Sequence, residues 1–157
     1  MSAAPKNRRQ SLRWSPWLLA ATVVTLLLIW GQSVLPVSGS AKESGWLLHT
    51  VVNPALRFLG FAEMRQTLLR KLAHVSEFAL FTFCLTLLLR GRVVQTLGIG
   101  FIAGALDESI QLFSDRSAEV RDIWIDFVGV VLGTLLGTLL WRLTHRQAKT
   151  DAHRKRK

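Results

Sequence analysis

Apolar residues in this chain fall in long uninterrupted blocks rather than in alternation with polar ones. Trp14 to Ala41 carries no charged side chain, Leu72 to Leu89 carries one His and one Glu, Val93 to Leu106 carries no charge, and Ile123 to Trp141 carries a single Asp. A helix needs about 20 predominantly apolar residues to cross a hydrocarbon core. The pattern therefore predicts four spanning helices, near residues 16–35, 72–89, 93–113 and 122–141. The expected fold is all-α: an integral membrane, four-transmembrane-helix bundle.

The longest connection, residues 36–70, opens on Pro36 and Ser38-Gly39-Ser40 and turns apolar again at Gly45-Trp46-Leu47-Leu48. That second block is too short to span. Asn53-Pro54 supplies a cap and a first helical residue, and Leu56, Phe58, Leu59 and Phe61 are interspersed with Arg57, Glu63 and Arg65. One or two amphipathic, interfacial helices are expected here, in the first extracytoplasmic loop. The basic start followed by the first apolar block also has the outline of a secretory signal, but the block exceeds the usual 7 to 15 residues or so, so a retained helix is expected.

Charge sets the orientation. The net charge is +10, and the bases gather beside the spans: Lys6, Arg8, Arg9 and Arg13 before the first, Arg90 and Arg92 between the second and third, and seven from Arg142 to Lys157 after the fourth. With an even number of crossings these sites share one side, which the positive-inside rule assigns to the cytoplasm. The chain thus divides into a basic cytoplasmic N-terminus (1–15), a membrane domain (16–141) and a basic cytoplasmic tail (142–157). Both termini are expected on the cytoplasmic side of the membrane. No recognition motif accompanies the basic residues, so membrane lipids, not nucleic acid, are the expected partners.

Against this apolar background the acids stand out, because a carboxylate near the centre of a span costs about 2.5–3.5 kcal/mol on insertion scales and usually marks function. His74 and Glu77 share a face of the second span, with Lys71 one turn before His74. Asp107 and Glu108 each reach Gln111 at helical spacing in the third span, and Asp122 and Asp126 are one turn apart in the fourth. These residues occupy the start of the second span, the end of the third and the start of the fourth. Antiparallel crossings bring all three ends to one level, closed by the connection that carries Arg116. Gly100 and Gly104, and Gly129, Gly133 and Gly137, are spaced as small residues that let membrane helices approach closely.

Lys71, His74 and Glu77, then Asp107, Glu108, Gln111 and Phe113, then Arg116, Asp122, Gly129 and Gly133 resemble the pattern of the VanZ-like family of small membrane proteins. Asp126 stands where that family often has Asn, which adds a titratable group. The resemblance implies a multi-span cell-envelope protein related to one associated with teicoplanin resistance in glycopeptide-resistant bacteria. It does not imply a defined reaction.

The expected role is that of a polar pocket, facing the outer leaflet, for an amphiphilic or lipid-linked envelope molecule, a lipid-linked precursor or a lipid-bearing glycopeptide. Two other readings stay open: an intramembrane enzyme with Glu77 or Asp107 as base and His74 as proton carrier, and a proton-coupled carrier relaying through Glu77, Asp107, Glu108 and Asp126. No nucleophile motif, phosphate loop or cofactor fingerprint is present, and no cofactor is expected. His74 has no second His at ligand spacing, and with Glu77 and Asp107 or Glu108 it makes an incomplete metal set, so no metal is expected either.

Overall fold

A computed structural model of the chain describes residues 15–34, 44–113 and 120–154, with side chains in the last segment from Asp122 to His145. Every regular element in the described residues is helical. Helix α1 spans Pro16–Val34, a wide turn at Leu48–Val52 leads into the short α2, Asn53–Phe58, and three long helices follow: α3, Gln66–Leu88; α4, Val93–Phe113; and α5, Val120–Arg154. Four of these, α1, α3, α4 and the Asp122–His145 part of α5, are long and apolar enough to cross a membrane.

Hydropathy marks where a helix meets lipid, not where it ends. Helix α3 begins at Gln66, so Arg70 and Lys71 belong to its first turns, ahead of the apolar block. Helix α5 runs 35 residues, about 52 Å at 1.5 Å per residue, whereas the hydrocarbon core is about 30 Å thick. The basic stretch from Arg142 to Arg154 therefore continues the last span as helix.

Helix α3 is the central element, packed against α1 on one side and, most extensively, against α5 on the other; α4 fills the space beside α1 and α5. Phe78 and Phe81 of α3, Ile29 of α1, Ala103 of α4 and Val130 of α5 form the core with Leu85 and Leu88. Between α3 and α5 the backbones touch. A Cβ at Gly129 or Gly133 would collide with the carbonyl oxygens of Val75 and Ala79, and one at Gly137 would lie 2.8 Å from Thr86 Cβ. At Gly100 it would meet Val130 Cγ1 at 2.6 Å, while at Gly104 the nearest atoms are at an ordinary 3.6 Å or more.

Buried threonines line the helix contacts. Thr82, Thr86, Thr96 and Thr134 are almost wholly enclosed, and each hydroxyl donates to the carbonyl one turn back, at 2.6–3.1 Å. In lipid this is how a polar side chain is satisfied within its own helix. Thr82 also lies 3.2 Å from the carbonyl of Val130, joining α3 to α5.

At one pole, α3 and α4 are joined by a turn in which Arg90 and Gly91 both take positive φ, 58° and 76°, and Gly91 N–H donates to Thr86 O at 2.8 Å. A left-handed residue after the last helical turn closes the terminal carbonyls. Gly91 lies against the ring of Trp141, which places the α3–α4 turn and the emerging part of α5 at the same end. This is the basic pole, with Arg90, Arg92 and Arg142.

The stretch between α1 and α3 is helical from Ser44 to Phe58. Pro54 has no N–H to donate, and the helix widens just before it, where Asn53 N–H bonds Leu48 O. Asn53 is buried and its Oδ1 accepts from Met64 N–H at 2.9 Å. Arg57 pairs with Glu63, and Gln66 donates to Ser44. Trp46, Phe58, Leu59 and Phe61 point outward, as in a segment lying at a membrane surface.

Candidate functional site

The second pole gathers polar side chains from all four long helices. Asp107 of α4 has no exposed surface. Its Oδ1 accepts from Ser33 Oγ at 2.6 Å and its Oδ2 from Gln111 Nε2 at 2.9 Å. Ser33 is itself buried at the end of α1, and its neighbour Gln32 donates to Glu77 Oε1 of α3 at 3.1 Å. Asp126 of α5 is 2 % exposed and faces His74 of α3, with Nδ1 and Oδ1 3.6 Å apart.

These contacts follow from the helix ends. The start of α3, the end of α4, the start of α5 and the end of α1 lie together, so polar residues at the ends of four apolar rods turn inward at one level. Glu108 and Gln111 are buried beside Asp107, and Gln111 also reaches Glu108 Oε1 at 3.5 Å. Asp122 sits one turn before Asp126, half-buried. His74 is partly open, its side chain 26 % exposed. His74, Asp107 and Asp126 each present a ligand-type atom within 4.8 Å of the other two. Burial in a low-dielectric surround makes each of these contacts costly to break, because a charged or polar group stripped of its partner cannot recover it from water.

Lys71 lies on α3 one turn before His74, half-buried, and forms no ion pair among the described residues. Arg116 falls in the connection between α4 and α5, outside the described residues, as do Asp115 and Glu119. Gly100, Gly129, Gly133 and Gly137 occupy helix contacts too close for a Cβ, whereas Gly104 faces Asp126 with room for a methyl group.

Two members of the cluster do not emerge from reading the spans that carry acids. Ser33 and Gln32 are neutral residues at the end of a charge-free helix, and only their position, one turn past Trp30 at the close of the first apolar block, distinguishes them. His74 likewise faces Asp126, on another helix, while Glu77 on its own helix is held by Gln32 from α1.

Residues 17–142 match the model of the VanZ/LLP1 family. No curated protein and no solved structure matches the chain.

Proposed function

Because the chain belongs to the VanZ/LLP1 family and is a multi-pass membrane protein by its four spanning helices, we propose that it acts in the bacterial cell envelope, in the cytoplasmic membrane. In this reading the acidic pole faces outward, forms a polar recess at the level of the outer leaflet, and binds an amphiphilic or lipid-linked envelope molecule. Binding there alters susceptibility to teicoplanin-type glycopeptides. The basic pole, with Arg90, Arg92 and Arg142, is then cytoplasmic, as the positive-inside rule requires.

The observation that carries the proposal is the inward convergence of Ser33, His74, Asp107, Gln111 and Asp126 from four helices. Buried polar groups inside a membrane bundle are costly unless paired, and where they are retained they mark sites at which polar ligands or ions meet a protein within the bilayer. His74 and Glu77, both partly open, give such a ligand a point of contact.

The test is a deletion strain complemented with wild-type protein, D107N or H74A, each checked for membrane level. Teicoplanin susceptibility that changes on deletion, returns with wild type and does not return with the variants supports the reading, provided the lipid pool is unchanged. A lipid-linked precursor that accumulates on deletion would replace binding with an intramembrane reaction. Full complementation by both variants would remove the recess from the account.

A further inference from the structure

We infer that His74, Asp107 and Asp126 form a binding site for a divalent transition-metal ion. Their three ligand-type atoms lie within 4.8 Å of one another and come from α3, α4 and α5, so the site exists only in the assembled bundle. One imidazole and two carboxylates make a donor set suited to zinc or manganese. The inference concerns the ion alone and stands apart from any amphiphile bound at the same pole.

The geometry accommodates coordination. His74 Nδ1 and Asp126 Oδ1 are 3.6 Å apart, beyond a normal N–H···O bond. Two ligands of a tetrahedral ion with bonds of about 2.1 Å are separated by roughly 3.4 Å. Asp107 is already oriented: Ser33 and Gln111 each donate to one of its oxygens, the role that outer hydrogen-bond donors play for ligating carboxylates. A carboxylate has about four acceptor positions, so both oxygens keep capacity for a metal.

A second observation, on Asp126, points to cation binding. Asp126 Oδ2 is buried and has no hydrogen-bond donor among the described residues. It lies on the α4 side of the cluster, where Gly104, one turn before Asp107, leaves the helix face bare: a Cβ there would come within 3.9 Å of this oxygen. Neither Asp107 nor Asp126 forms an ion pair with Lys or Arg among the described residues. Two carboxylates enclosed side by side repel in a low-dielectric interior, and a divalent ion held between them offsets both charges and gives the Asp126 carboxylate a cationic partner. His74, at the partly exposed edge, supplies the third protein donor, leaves the remaining coordination positions to water, and gives the ion a way in. The spacing along α3 alone pairs His74 with Glu77; it is the crossing of α3 and α5 that replaces Glu77 with Asp126.

The experiment uses the full chain purified in detergent, stripped with chelator, re-equilibrated separately with Mn²⁺ and Zn²⁺ at micromolar concentration, desalted, and analysed for metal. The expected result is one ion per chain in excess of H74A with at least one of the two metals, retained in E63Q and bound at least tenfold more weakly by D126N. Bound Mn²⁺ should show a nitrogen coupling by electron spin-echo spectroscopy that H74A lacks. The half-buried position of His74 keeps that variant informative even where D126N fails to fold. Equal metal content in wild type and H74A, or bound Mn²⁺ without a nitrogen coupling, overturns the site.

Discussion

Ser33 and Asp107, 74 residues apart in sequence, share a buried 2.6 Å hydrogen bond that fastens the end of α1 to the end of α4. A hydrogen bond to a charged group contributes about 1.5–3 kcal/mol, and losing it leaves the acceptor stranded. S33A should therefore lower the thermal stability of the detergent-solubilised protein by an amount of this order. An unchanged melting curve would mean that Asp107 does not depend on α1.

The α3–α5 seam gives a sharper contrast. G133L places a side chain where Ala79 offers its carbonyl oxygen, and G129A meets the carbonyl of Val75. Both should reduce the amount of monodisperse protein recovered on size exclusion, G133L most. G104A, with ordinary contacts around its added methyl, should be recovered like wild type. Equal recovery of all three would contradict the backbone contact.

Much of this architecture is legible in the sequence, because an apolar block without charges has few alternatives in an aqueous or lipid setting. The four spans and the level of the acids follow from that pattern. What sequence does not disclose is pairing across helices. Helical spacing puts His74 with Glu77, but helix packing sets His74 against Asp126 and leaves Glu77 to Gln32. Ser33 and Gln32 carry no charge and so give no sign that α1 joins the cluster. The extension of α5 to Arg154 is also hidden, because basic residues are good helix formers that hydropathy counts as the end of a span.

Thr82 donates within α3 and reaches Val130 O of α5. Replacing it with the near-isosteric Val removes both links without changing the volume. Interhelical hydrogen bonds in membrane proteins average about 0.6 kcal/mol and reach about 1.7, so T82V should be a mild lesion, measurable by steric-trap or denaturant unfolding. A loss of several kcal/mol would assign the seam to polar contacts and not to glycine packing.

At the basic pole, Gly91 combines a φ of 76° with a ring of Trp141 3.0 Å from any added Cβ. The left-handed conformation costs an L-residue about 1–2 kcal/mol. G91A should destabilise by at least that amount, and W141A should restore part of it by clearing the contact. Additive losses in the double variant would show that the two residues do not meet.

Convergence of the four helix ends is tested most directly by cross-linking in native membranes, in a C84A background. The cysteine pairs S33C/D107C and H74C/D126C, treated with mild oxidant or a short bismaleimide, should each give an intrachain cross-link. The pair S33C/L112C, whose second position faces outward, should not. Failure of both inward pairs to cross-link in folded protein, with S33C/L112C linking instead, would contradict the account.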